Sequence, residues 1–290
     1  MANFPRRRAK SGAAQAKAPM SERFRRFARQ PKQEGAEKPR RRGIYLLPNA
    51  FTTAALFCGF YAIVMAMNQK FEHASWAIFI AMVLDGLDGR VARLTNTQSE
   101  FGAQYDSLSD MVSFGAAPAL VMYEWSLRGL GKLGWIAAFV YCAGAALRLA
   151  RFNTNIEVVD KRYFQGMPSP SAAALMAGII LMMLELDISG MEMPWLYWGV
   201  SIFAGLTMVS NVPFYSFKDV NFRKSVPFIV VFLIALGLAL IAIKPAVTLF
   251  PLFAVYGLSG YVITIWRAAK GKKVSLIQTE MESNDPSERS

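Results

Sequence analysis

Four aspartates, Asp85, Asp88, Asp106 and Asp110, fall in or beside long apolar stretches. An aspartate at the centre of a bilayer costs roughly 2.5–3.5 kcal/mol on insertion scales, so four of them call for a cation, a partner or water. Asp85 and Asp88 stand at i, i+3 and share one face of a helix. Asp106 and Asp110 stand at i, i+4 on another, with Gly102 one turn earlier on the same stripe. The connector between the two pairs, T-N-T-Q-S-E over residues 95–100, is polar. Thr97, with Glu100 three residues later, fits a capping box that opens the second helix. Two antiparallel helices joined by so short a loop bring both pairs to one point.

Convergent carboxylates with no histidine or cysteine nearby favour a hard cation: Mg²⁺, Mn²⁺ or Ca²⁺. Four oxygen-donor side chains suit a site with two metals about 3.5–4 Å apart. Gly86, Gly89 and Gly102 remove side chains where a ligand could approach backbone. Arg93, one turn past Gly89, can supply a charge-assisted bond to phosphate. Together these residues describe a site for a phosphate-bearing substrate. Three alternatives stay open on spacing alone. Asp85 or Asp88 could pair with Arg90 or Arg93 and need no metal, the glycines could serve only as close-packing points, and intramembrane carboxylates could carry a divalent cation through a transporter. A transporter should show repeat symmetry or acids along several spans, and the acids here cluster on two.

The elements that hold these residues must be membrane helices. Hydrophobic residues make up 54% of the 290 and charged residues 18%, against about 45–50% and roughly 25% in soluble domains. An ordinary soluble enzyme and a disordered chain are excluded. Eight spans are expected, at 44–67, 72–93, 101–124, 132–151, 171–188, 194–212, 226–243 and 246–267, with the weakest joint at Lys244-Pro245. The expected fold is therefore an all-α polytopic helical bundle. With both termini cytoplasmic, 28 of the 32 Lys and Arg fall on the inner side, as the positive-inside rule asks.

Residues 1–43 hold 14 Lys and Arg against three acids and are expected to be a disordered cytoplasmic arm beside the first span rather than a nucleic-acid binder. The membrane domain is expected over 44–267 and a charged, disordered tail over 268–290. The first apolar run is too long for a signal peptide. Cys58 and Cys142 read as buried small hydrophobes, and one histidine, His73, excludes a Cys/His zinc site.

At Asp85, Asp88, Gly89, Ala92, Arg93, Gly102, Asp106 and Asp110 the chain matches D-x2-D-G-x2-A-R-x8-G-x3-D-x3-D at every fixed position. In this it resembles the CDP-alcohol phosphotransferase family. Softer segments resemble the family's serine-using branch: Pro48, Asn49 and Thr52; L-R-L-A-R-F-N at 147–153; G-M-P-S-P-S at 166–171; and S-N-V-P-F-Y-S-F at 210–217. The resemblance covers roughly residues 43–267. It implies a six-helix core, here with two further spans, usually a homodimer in the membrane, and here a bacterial inner membrane with the site facing the cytoplasm. It implies two divalent cations, Mg²⁺ or Mn²⁺, held by Asp85, Asp88, Asp106 and Asp110, with Asp110 also the general base. It implies that Gly89, Arg93 and Gly102 hold the CDP part, joined by Asn49 and Thr52.

The implied reaction transfers the phosphatidyl group of CDP-diacylglycerol to the hydroxyl of L-serine and releases CMP. Serine's hydroxyl is a poor nucleophile at neutral pH, and a placed carboxylate can take its proton. Arg148 and Arg151, i, i+3 at the end of the fourth span, suit the acceptor's carboxylate. They would suit a phosphate equally, so glycerol 3-phosphate or an inositol phosphate stays open as acceptor.

Overall fold

The computed structural model describes residues 46–154, 163–215 and 228–270. The arm expected over 1–43 lies outside these residues, as do the tail beyond 270 and the basic residues Lys161, Arg162, Lys218, Arg223 and Lys224. Among the described residues the chain runs through α1 (Leu46–Met67), α2 (Phe71–Leu94), α3 (Glu100–Asp110), a π-helical turn (Met111–Ala116) and α4 (Ala117–Trp125). It continues through a 3₁₀ turn (Leu127–Leu130), α5 (Lys132–Thr154), β1 (Tyr163–Gln165), α6 (Ser169–Glu185), α7 (Pro194–Val209), β2 (Pro213–Tyr215), α8 (Phe228–Ile243) and α9 (Pro245–Ala269).

Small residues set the spacing of these helices. α1 and α2 pack along their lengths, and their buried positions include Ala55, Ala62 and Ala66 on one and Ala74, Ala77 and Ala81 on the other. Small side chains let backbones approach closely where lipid supplies no hydrophobic drive between helices. At Gly59 a Cβ would overlap the backbone of Ser113, so only glycine lets α1 meet the π turn. α6 is the centre of the bundle, buried along almost its whole length from Ala172 to Met183 and packed by α9, α2 and α7.

Among the described residues three helices are long and apolar enough to cross a membrane: Pro48–Met67, Lys132–Thr154 and Pro245–Arg267. α6 and α7 are apolar but have 17 and 16 residues. At 1.5 Å per residue they are a little shorter than a hydrocarbon core of about 30 Å. α2 carries Glu72, Asp85, Asp88, Arg90 and Arg93, and those charges interrupt its apolar run.

Two sequence expectations change. The single helix expected over 101–124 is broken by the π turn directly after Asp110. Such turns widen a helix locally and are frequent at functional sites. The capping box expected at Thr97 and Glu100 does not form: Ser99 is the cap, its Oγ accepting from the Gly102 amide at 3.0 Å. Thr97 instead bonds Thr95 at 2.7 Å. The helix begins at Glu100, two residues too late for Thr97 to cap it.

The all-α expectation also needs one addition. β1 and β2 form an antiparallel ribbon in the register Tyr163↔Tyr215, Phe164↔Phe214, Gln165↔Pro213. Gly166, at φ +75°, continues it by donating to the Val212 carbonyl at 2.9 Å, and a Cβ there would strike the carbonyls of Met208 and Ser210. The expected joint at Lys244-Pro245 is a true helix break, with Lys244 Nζ 3.4 Å from Glu185 Oε1.

Candidate active site

The loop between α2 and α3 turns the chain back so that the C-terminal half of α2 faces α3. α1 lies against both. Three hydroxyls stitch α1 to the acid-bearing helices. Thr52 Oγ1 donates to Asp88 Oδ2 at 2.7 Å. Ser109 Oγ donates to the Thr52 carbonyl at 3.1 Å, and Ser113 Oγ to the Ala55 carbonyl at 3.0 Å. Each hydroxyl satisfies itself inside apolar packing and fixes the height of α3 against α1.

This frame brings the four aspartates together. Carboxylate oxygens of Asp85, Asp88 and Asp106 lie within 4.8 Å of one another. Asp110 stands against Asp85. Asp88 is buried, with 4% of its surface exposed. Asp106 Oδ1 and Asp110 Oδ1 are buried with no hydrogen-bond partner among the described residues. No lysine or arginine forms an ion pair with any of the four among those residues, so pairing with Arg90 or Arg93 does not neutralise them. Buried acids with orphaned oxygens and no basic partner form a donor set that fits hard divalent cations.

Beside the acids an open cleft of about 350 Å³ is lined by Asn49, Thr52, Asp88, Gly89, Arg93, Gly102 and Asp106. All five residues expected to hold the nucleotide part therefore line one surface with two of the acids. Gly89 opens onto free space, and a Cβ at Gly102 would press on Ser99 Oγ and approach Asn49 Oδ1. Glycine thus keeps the floor of the cleft low at both points. Gln98, Ser99 and Thr97 add polar lining from the connector. Spacing alone did not single out Gln98 and Ser99 as ligand-facing, and the only available signal was the connector's polarity.

Arg148, on α5, donates from Nη1 to Ser169 Oγ at 2.7 Å and lies within electrostatic reach of Asp110 and Asp85. Arg151, one turn on, bonds Asn211 Oδ1 at 3.1 Å. Asn153 donates to Ser107 Oγ at 3.1 Å. One helix end thereby grips α3, the start of α6 and the segment before β2, which accounts for the separate softer motifs in the sequence. Ser169 is a partner that sequence reasoning missed, since only the chain's return brings it to Arg148.

The family model for CDP-alcohol phosphatidyltransferases matches residues 45–209, more than half the chain and the whole of this site. The chain belongs to the CDP-alcohol phosphatidyltransferase family. It is 36% identical over 233 residues to a Helicobacter pylori (strain J99) protein named CDP-diacylglycerol–serine O-phosphatidyltransferase, covering 80% of this chain and 98% of that one. A Mycobacterium bovis protein of the same name is 37% identical over 188 residues, covering 61% of this chain and 64% of that one. One from Methanocaldococcus jannaschii, again so named, is 34% identical over 186 residues, covering 64% and 82%.

Proposed function

We propose that this protein is a CDP-diacylglycerol–serine O-phosphatidyltransferase, converting CDP-diacylglycerol and L-serine to phosphatidylserine and CMP. The observation that carries the reading is the convergence of four aspartates, none of them ion-paired among the described residues, beside a cleft built from the family's nucleotide positions. The relatives' shared name supplies the acceptor.

Asp85, Asp88, Asp106 and Asp110 would hold two divalent cations, Mg²⁺ or Mn²⁺. Bound there, such cations neutralise the lipid diphosphate and the charge on departing CMP. The protein's own groups do the rest. Gly89 and Gly102 admit the CDP moiety to backbone, with Asn49 and Thr52 on the α1 side and Arg93 over the phosphates. Arg148 orients the serine carboxylate, with Arg151 as the second cation of the pair. Asp110, on the Arg148 side of the cluster, takes the proton of the serine hydroxyl as its oxygen attacks the phosphorus bearing diacylglycerol. The bond from that phosphorus to CMP breaks, and CMP leaves with the electron pair.

Eight helical passes with both termini cytoplasmic fit the distribution of Lys and Arg, 28 of 32 on one side. In this reading the site faces the cytoplasm from a bacterial inner membrane. A homodimer is the assembly that the family resemblance implies.

The test is acceptor specificity in purified protein. Labelled serine should enter phosphatidylserine with equimolar CMP release, in the presence of Mg²⁺ or Mn²⁺. Incorporation of glycerol 3-phosphate or an inositol phosphate in place of serine would overturn the acceptor assignment.

A further inference from the structure

The π turn that follows Asp110 is held from two sides. Its Ala117 amide reaches back five residues to the Val112 carbonyl, one residue further than an α-helix reaches. On the α1 side, Ser113 Oγ donates to the Ala55 carbonyl at 3.0 Å, and Gly59 leaves room for the Ser113 backbone. On the α5 side, the Tyr141 hydroxyl donates to the Phe114 carbonyl at 3.0 Å. Tyr141 and Phe114 are both wholly buried. An α-helix would bond the Phe114 carbonyl to the amide of residue 118, but Pro118 has no N–H. The Tyr141 hydroxyl supplies a donor that the helix lacks there. Tyr141 is itself pinned from behind, since a Cβ at Gly205 of α7 would strike its Cα.

The width of this turn sets the rotation of α3. α4 continues from the turn with Ala117, Pro118, Ala119, Val121 and Met122 buried, so packing fixes its own rotation. Each residue turns an α-helix by about 100°. Were the π turn to close into α-helix, α3 would swing by about that angle against α4. Asp106 and Asp110 would then leave the face that meets α2, where carboxylate oxygens of Asp106, Asp85 and Asp88 lie within 4.8 Å of one another.

We propose that Tyr141 is a positioning residue of the acid cluster: its hydroxyl, through the Phe114 carbonyl, holds the π turn open and keeps Asp106 and Asp110 aimed at the acids of α2. Tyr141 does not touch the acids. It acts on them through the backbone between Asp110 and α4. The proposal rests on the reading of the four aspartates as a cation site.

The experiment measures Mn²⁺ binding by electron paramagnetic resonance, together with melting temperature, on purified full-length proteins. Tyr141→Phe keeps the ring and removes only the hydroxyl. Its Mn²⁺ dissociation constant should rise about 10-fold or more, the size usual for losing a group that orients metal ligands. Its melting temperature should fall, because a buried carbonyl loses its donor. Ile179→Ala on α6 is the control for lost stability alone and should bind Mn²⁺ as wild type does. Tyr141→Phe combined with Pro118→Ala returns an amide to residue 118 for the Phe114 carbonyl. Melting temperature should then recover while Mn²⁺ binding stays weak, because that amide closes the turn. Wild-type Mn²⁺ affinity in either Tyr141 variant overturns the proposal; in the double variant it marks a hydroxyl that merely satisfies the carbonyl. Equal weakening in Ile179→Ala overturns it as well. A wild type that binds no Mn²⁺ overturns the cation reading itself, and that shows in the wild-type arm alone.

Discussion

α6 and α3 belong to one bundle and have opposite characters. α6 has 17 residues, of which twelve are buried, nearly all alanine, methionine, leucine or isoleucine. α3 has 11 residues with Ser109 alone buried; three carry carboxylates and two are serines, and its large apolar residues Phe101 and Leu108 are exposed. Burial of apolar surface makes α6 a source of stability. α3 contributes little of that and is held by point contacts: Ser99 at its start, Ser109 to α1, Ser107 to Asn153. The difference teaches that the fold's stability and its chemistry reside in different helices. Substitutions should therefore separate activity from stability according to which helix they strike.

The largest effect is expected at Asp110. Asp110→Asn should lower kcat by about 10²–10⁴, the usual contribution of a general base. The melting temperature should hold or rise, because a buried carboxylate oxygen without a partner is exchanged for a neutral group. Turnover of CDP-diacylglycerol and thermal unfolding, measured on the same preparation, check both halves; a large fall in melting temperature would erase the contrast. Ile179→Ala on α6 is the mirror experiment. It should cost about 2–5 kcal/mol of stability at a wholly buried site, with kcat per folded molecule unchanged.

Between these extremes lies Thr52→Val, which removes the 2.7 Å bond to Asp88. Loss of a hydrogen bond that orients a metal ligand typically weakens metal binding 10–100-fold. The Mn²⁺ concentration for half-maximal activity should rise by that factor while saturated kcat recovers. The smallest effect is expected from Ser99→Ala, which deletes the cap of α3 at a cost of about 0.5–2 kcal/mol. It should appear as faster amide exchange at Gly102 with little change in melting temperature.

The acid cluster was legible in the sequence because helix periodicity alone brings i, i+3 and i, i+4 carboxylates onto shared faces, and a polar six-residue connector can only reverse the chain. The glycines were legible for a related reason: no other residue leaves the cleft floor open at Gly89 and Gly102. The helices at 46–67, 132–154 and 245–269 followed from apolar length. What escaped depends on contacts far apart in the chain. Ser169 meets Arg148 across 21 residues and Asn211 meets Arg151 across 60. The ribbon pairs three residues with three, too few for an alternating pattern to register. The π turn at Met111–Ala116 left no sequence mark at all, since M-V-S-F-G-A reads as ordinary apolar helix. The cap moved from Thr97 to Ser99 because two hydroxyl residues competed for one helix start.

The central claim is that the four aspartates hold divalent cations at the nucleotide cleft. Mn²⁺ binding to the purified full-length protein, followed by electron paramagnetic resonance with CDP-diacylglycerol present, tests it most directly. Two bound Mn²⁺ per chain are predicted for wild type. Single Asp85→Asn, Asp88→Asn, Asp106→Asn and Asp110→Asn proteins should each bind fewer or more weakly, in step with lost turnover. A wild type that binds no Mn²⁺ yet turns over at full rate in chelator, or a fourfold variant that binds Mn²⁺ as wild type does, would contradict the account.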